Sequence, residues 1–452
     1  MNSRERLDSA MLRTPNDLAG RALATGGNRS ETLAGFAGLA LMAIGIISVM
    51  LMIARQTNWP SGTDMQVYLD AARLLVHGQN PYVIVESADP YPYPPFFALL
   101  VGIISQILGY GKLWILWPCL SIGLVLGCVT LFRSFGRIMP DGWLLFVTGL
   151  ILCSRVIRSD LFHGQINILI LFAVLLGLRY FLNGAITRGA VAWALVFVCK
   201  PFMGVLIFYL LCRKGWRAAA LTVSVAAVLF IGPFLLINNA IEGVRGWLAA
   251  STFLTMLPMA ARPDHQSLPA LAKRLFVENP FSVPWIDAPV AAQVVSVLAA
   301  ALAVLVFLVA IAFRPGLENA QHRIPEAGLA LAEVGLTIGI ALSCGPLLEG
   351  DHLILIWPAL YGAVLCAQRA GPDPETSRGR WIVAAAMWCT VFWVFALPKL
   401  PYILASVTWP VLKGPEILMS GWNGILVFLA CLATSSALRA RVDRAGVRQL
   451  AS

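Results

Sequence analysis

The stretch Leu33–Ala54, LAGFAGLALMAIGIISVMLMIA, has no charged side chain and one polar one, Ser48. As an α-helix its 22 residues extend about 33 Å, enough to cross the hydrocarbon core of a bilayer. The run is too long for the apolar region of a secretory signal peptide, so it reads as a retained first membrane helix. Before it, residues 1–32 are polar and carry Arg4, Arg6, Arg13, Arg21 and Arg29.

The rest of the chain has the same character. Its 452 residues are 59% hydrophobic and 12% charged, with a mean hydropathy of +0.78. Soluble proteins carry about a quarter charged residues. A soluble globule, a disordered chain and a disulfide-stapled secreted domain are therefore excluded. Further apolar runs at about 95–111, 113–132, 142–157, 164–182, 190–212, 217–237, 290–313, 327–347, 353–368, 381–397 and 420–438 predict an all-α, polytopic membrane protein of about twelve (11–13) spans. The stretches 113–165 and 190–212 each read either as a full crossing or as a pair of short helices, and Pro201 after Lys200 argues for a break.

Charge sets the expected orientation. With the N-terminus inside, the loops 1–32, 213–217, 314–323, 369–380 and 439–452 hold 17 Lys and Arg, against 8 in the much longer outer loops 55–94, 238–289, 343–352 and 398–419. That asymmetry satisfies the positive-inside rule. The net charge of +10 is thereby a property of loops, and no nucleic-acid partner is expected. The expected organisation is a cytoplasmic tail 1–32, a membrane domain 33–438 and a cytoplasmic tail 439–452, in the cell inner membrane. The nine cysteines are scattered without a CxxC pair and read as small apolar residues rather than ligands or disulfides.

The first long outer loop begins SGTDMQVYLDAARLLVHGQNPY at Ser61. Thr63 with Gln66 three residues on fits a capping box, so a short interfacial helix is predicted from Asp64, ending at Gly78. The prolines of DPYPYPPFF, residues 89–97, favour extended chain leading into the next span. Asp64 suits the first turn of a helix on dipole grounds alone. Asp70, six positions on, is expected on the solvated face. His77 and His322 read as loop histidines.

These residues resemble glycosyltransferase family 87, which includes mannosyltransferases that use polyprenol-phosphate mannose. The resemblance rests on Asp64, Tyr68, Ala71, Gly78, Pro81, Tyr82 and Tyr93-Pro94-Pro95. Four more blocks follow in the family's order: Gly164-Gln165-Ile166-Asn167, Lys200-Pro201, His265-Gln266-Ser267-Leu268 and Glu349-Gly350-Asp351-His352. The family's usual Asn before Gln-Ser is His265 here. The resemblance extends over about residues 60–370 and implies a GT-C fold with its active site on the outer face. It also implies an inverting transfer in which Asp64 is the catalytic base.

Such a transfer needs a group to take the acceptor's proton and cations or donors to stabilise the leaving phosphate. Lys200, in an apolar stretch, is expected to face a cavity or a partner; it and His352 are candidates for the donor phosphate, as are Arg155 and Arg158. The two arginines equally suit anchoring at a membrane surface. Tyr68, Tyr93, His163, Gln165, Asn167, His265, Gln266 and Asp351 are candidates for sugar or acceptor binding, although Gln165 and Asn167 also suit helix-to-helix hydrogen bonding. No metal-binding spacing such as HExxH is present, and no P-loop. No cofactor is expected, and a divalent metal is left open. The expected partners are a polyprenyl-phosphate sugar donor, a glycolipid or glycan acceptor, and membrane lipids. The expected activity is transfer of a hexose, mannose by resemblance. Two alternatives remain open: arabinofuranose transfer, and transport of lipid-linked sugars. Against transport, no internal repeat with paired broken helices is visible.

Overall fold

The computed structural model of the chain describes residues 29–55, 63–82, 90–253, 256, 259–263, 265–312, 326–345, 348–369, 378–396 and 412–450. Most of these residues are helical, with no β-strand among them; the extended pairings are isolated bridges near Asn279, Ser282 and Leu412. His322 and the start of the 89–97 segment lie outside the described residues. Contacts divide the chain into two units, one of residues 1–45 and 139–153 and one of 46–138 and 154–452.

In the first unit, the N-terminal part of α1 (Arg29–Arg55) packs on α5 (Asp141–Cys153). Small residues make the contact. A Cβ on Gly149 would lie 2.7 Å from the Gly38 carbonyl, a distance available only to glycine, as is common where membrane helices meet without a hydrophobic driving force. Cys153 also hydrogen-bonds the Leu41 carbonyl, at 3.2 Å.

The second unit carries the candidate site. It begins with α2 (Asp64–Val76), α3 (Pro95–Leu108) and α4 (Leu113–Phe135). Helix α2 starts at Asp64 as its sequence predicts and ends at His77, with Gly78 at φ 70°. The predicted capping box is not formed. Thr63 occupies the N-cap position without a side-chain cap bond, and Gln66 instead donates to both carboxylate oxygens of Asp70, at 3.0 and 2.9 Å. The i,i+4 pairing outcompetes the reach back to Thr63. Asp70 is half-buried, with its side chain 41% exposed, and also pairs with Arg73.

Two breaks shape this unit. Helices α6 (Arg155–His163) and α7 (Asn167–Leu182) meet at 109°. Ser154 caps α6 by accepting from the Ile157 N–H, and Gly164 ends it in the left-handed conformation, φ 65°. Helix α8 (Ile186–Cys199) then stops at Lys200, whose backbone is extended, φ −137° and ψ 93°. Pro201 explains the stop: a proline disfavours helical geometry in the residue before it. A short 3-10 turn, Pro201–Val205, restarts the chain into α9 (Leu206–Arg213). The 190–212 stretch is thus a broken pair, and 113–165 holds three helices.

The chain continues through α10 (Trp216–Ile231), α11 (Ala240–Phe253), α12 (Leu268–Phe276), α13 (Pro289–Phe307) and α14 (Glu326–Cys344). A 3-10 turn, Gly350–Ile356, then opens α15 (Trp357–Arg369), and α16 (Gly379–Ala396) and α17 (Pro415–Leu450) follow. The expected C-terminal tail therefore continues α17 as far as Leu450. Among the described residues six helices are long and apolar enough to cross a membrane, or seven if α6 and α7 form one span; five more apolar helices are shorter. Several of the apolar runs divide at glycine or proline. The most deeply buried spans are α14 and the 350–368 stretch, and they pack on each other.

Because a Cβ at φ 65° is disfavoured, Gly164→Ala is expected to destabilise the protein by about 1 kcal/mol. A thermal denaturation midpoint in detergent equal to that of the native sequence would refute the strain at this turn.

Candidate active site

The two breaks and two loops bring polar side chains together inside apolar surroundings. Lys200 is fully buried and Gln165 is 2% exposed. Gln165 Nε2 donates to Asp64 Oδ2 at 2.7 Å. Its other end accepts: Lys200 Nζ donates to Gln165 Oε1 at 3.3 Å. Only this amide orientation works, since the reverse would point an NH2 at the ammonium and an oxygen at the carboxylate. Main-chain bonds hold the amide in place. The Gln165 N–H donates to the Asp160 carbonyl at 2.8 Å, and the Gln165 carbonyl accepts from Trp117 Nε1 at 3.2 Å. Gln165 and Asn167 are thus distinct in use, for Asn167 turns to the buried Asp160, donating to Oδ1 at 2.9 Å.

His352 is the next member. Its Nε2 lies 2.8 Å from Lys200 Nζ, and its Nδ1 accepts the Glu349 main-chain N–H at 3.1 Å. The second bond assigns the imidazole proton to Nε2. At 2.8 Å one of the two nitrogens accepts from the other, so Lys200 and His352 are a hydrogen-bonded pair turned toward the same space. Tyr93 lies under the ammonium, with its ring centroid 5.8 Å from Nζ. The prolines hold Tyr93 there: its carbonyl accepts from Tyr82 Oη at 3.0 Å, and Tyr91 Oη donates to the Pro94 carbonyl at 2.9 Å. Tyr68 is fully buried, with its ring tilted against Tyr93 and edge-on to Tyr91 and Phe97.

Acid–histidine pairs flank this chain. His265 Nε2 is 3.4 Å from Glu349 Oε1, and His163 Nδ1 is 3.3 Å from Asp351 Oδ2. The first pair depends on a long-range contact, in which the Gln266 N–H donates to the Leu348 carbonyl at 2.7 Å. It depends also on the fully buried Arg274 of α12. Arg274 Nη1 donates to the carbonyls of Arg262 and His265 at 2.8 and 2.7 Å. Sequence alone assigns no role to Glu349 or Arg274; the signal for Arg274 is its place in the short apolar stretch LPALAKRLF, where a buried cation needs partners.

Arg155 and Arg158 are exposed on α6, opposite the buried Val156, Ile157 and Leu161. Gln266 is half-buried, and His77 is exposed at the end of α2. Among the described residues no three His, Cys, Asp or Glu side chains are grouped to hold one metal ion, and the cysteines are free thiols.

The model of glycosyltransferase family 87 matches residues 91–342. This chain belongs to glycosyltransferase family 87. It is therefore a multi-pass membrane glycosyltransferase. The matched span includes Gln165, Lys200 and His265; Asp64 and the Glu349–His352 segment lie outside it. No curated protein matches the chain. A solved structure, ArnT from Cupriavidus metallidurans bound to undecaprenyl phosphate, is similar at 13% identity with a TM-score of 0.42, over 89% of this chain and 78% of that one.

In this glycosyltransferase the proton affinity of Asp64 is strongly altered. Burial, and then the negative charge of Glu349, push it up to about 7 against the opposing pull of Lys200 and His163. Glu349 moves the other way. Burial favours its neutral form, but the hydrogen bond from His265 and the positive charge of Lys200 outweigh that and hold it below the usual carboxylate range. One acid thus sits near neutrality while its neighbour stays ionised, the division that acid–base chemistry requires.

A carboxyl group whose proton affinity is higher folded than unfolded costs stability once it ionises. Asp64→Asn is therefore expected to raise the denaturation midpoint at pH 8, with the gain shrinking toward pH 4, where the folded protein already holds Asp64 protonated. An equal midpoint shift at both pH values would refute burial as the cause.

Proposed function

We propose that this enzyme transfers a hexose, mannose by family resemblance, from a polyprenyl-phosphate donor to a lipid-linked or extracytoplasmic glycan acceptor. The transfer is inverting, on the outer face of the inner membrane, in a GT-C-type fold with its N-terminus in the cytoplasm. The observation that carries this reading is the hydrogen-bonded chain Asp64–Gln165–Lys200–His352, half-buried at Asp64 and buried at the other three, which brings a near-neutral acid and two phosphate-seeking groups into one site.

Each part has a task. Asp64 Oδ2 is held by Gln165, so Oδ1 is the oxygen that takes the acceptor's proton. The acceptor oxygen forms its bond to the anomeric carbon as the bond from that carbon to the phosphate oxygen breaks. Lys200 and His352 Nε2–H hold the phosphate and stabilise the charge it gains as it leaves. The polyprenyl tail remains in lipid, which suits a site built where apolar helices break. Tyr93, with Tyr68 behind it, offers an aromatic face for the sugar, and the His163–Asp351 and His265–Glu349 pairs offer hydrogen bonds to hydroxyls. A single displacement with one base accounts for inversion.

Incubated with labelled polyprenyl-phosphate mannose and a membrane lipid extract, Asp64→Asn is expected to lose transfer by about 10²–10⁴-fold while still binding the donor. Undiminished turnover removes Asp64 from the mechanism. Lys200→Met is expected to weaken donor binding by about 10–100-fold; equal affinity removes the lysine from the phosphate site. Native kcat/KM for the donor, which reports the free enzyme, is expected to fall as pH drops through about 7, because the base must be ionised to accept a proton.

A further inference from the structure

Gln165 touches both working ends of the site at once, and nothing in sugar recognition requires that. Its carboxamide is buried, its oxygen is engaged by Lys200 and its nitrogen by Asp64. An amide whose oxygen accepts from a cation has a more acidic N–H and donates more strongly. The lysine's charge thus reaches the carboxylate by two routes, directly through space and through the polarised amide.

We propose that Gln165 is a positioning residue that couples Lys200 to Asp64, so that capture of the donor's phosphate by the lysine raises the proton affinity of the base. This rests on the reading of Asp64 as base and Lys200 as phosphate ligand. An anion at Lys200 neutralises the field that favours ionised Asp64, and it draws the ammonium away from Gln165 Oε1, weakening the bond that Gln165 makes to Oδ2. Both effects act in the same direction. The base is weak while the donor is absent and strengthens when the donor is in place.

Several charges face Asp64. Lys200 and His163 favour its ionised form; Glu349 and Asp351, on the loop and 3-10 turn opposite, favour the protonated one. Tyr93 and Tyr68 complete the lining from the extended segment and from α2 itself. Lys200 is the member of this set that is bonded to the amide also holding Asp64. It is also the member assigned to the donor, so donor binding and proton binding are linked through it.

Linkage makes the coupling measurable without turnover. Undecaprenyl-phosphate mannose is a phosphodiester with no titration near pH 7, so protons taken up on its binding belong to the protein. Calorimetric titration at pH 7, in buffers of different ionisation enthalpy, reads that uptake. The native enzyme is expected to take up roughly half a proton more than Asp64→Asn does, which subtracts any share from His163, His265, His352 or Lys200. Gln165→Met keeps the volume and the main-chain bonds of the residue but removes the bridge; its excess over an Asp64→Asn/Gln165→Met double variant is expected to fall below half the native value. Gln165→Asn, which draws the amide back from both partners, serves as the second variant should Met not fold, and is expected to behave alike.

A folded Gln165 variant with the full native excess overturns the coupling, as does a native enzyme whose uptake equals that of Asp64→Asn. If the donor does not bind at all, or if Asp64→Asn transfers sugar at the native rate, the proposed function itself falls. Loss of transfer in Asp64→Asn together with an unchanged excess in the Gln165 variants removes the coupling alone.

Discussion

A buried lysine in a chain that is 59% hydrophobic is the constraint around which the site is arranged. Lys200 is fully buried, and removing an ammonium from water costs several kcal/mol unless it is compensated. The compensation comes from elements far apart in sequence: the Gln165 carbonyl oxygen, the Tyr93 ring, and the charges of Asp64, Glu349, Asp160 and Asp351. Bringing these groups to the lysine requires that the helices around it stop short. The extended Lys200 before Pro201, the left-handed Gly164 and the Glu349 cap of the 350–356 turn are three such stops.

Breaking helices in this way leaves backbone groups without helical partners, and side chains of the site and local main-chain bonds answer for them. The Glu349 N–H is taken by His352 Nδ1, the Gln165 N–H by the Asp160 carbonyl, and the carbonyls of Arg262 and His265 by Arg274. The same bonds that satisfy the main chain therefore orient the chemical groups. His352 has its tautomer assigned by a main-chain N–H, and His265 is presented to Glu349 by a buried arginine. This economy of polar groups suits membrane proteins, in which unsatisfied backbone is tolerated only beside protein or a cavity.

How much of this is legible in the sequence varies by residue. The start of α2 at Asp64 and the break at Lys200-Pro201 are readable because local sterics and helix-end chemistry decide them. The Thr63–Gln66 capping box is not formed, because Gln66 has a stronger partner one turn on in Asp70. Arg155 and Arg158 sit beside a family block, yet the apolar spacing of Val156, Ile157 and Leu161 turns them outward. Gln165 reads as a sugar ligand or as helix glue, and its bridge between an acid and a cation depends on two contacts of 101 and 35 residues' separation.

The sequence by itself determined the class of the protein: hydropathy and loop charge demand a multi-pass helical membrane chain, because apolar runs of this length have no other stable solvent. It also determined where helices break, because proline and glycine act on their immediate neighbours. Only the tertiary structure decided which polar residues share a site. That depends on the direction each side chain takes at the end of a broken helix, and on pairings such as Gln266 with Leu348 and Lys200 with His352, which no local rule encodes.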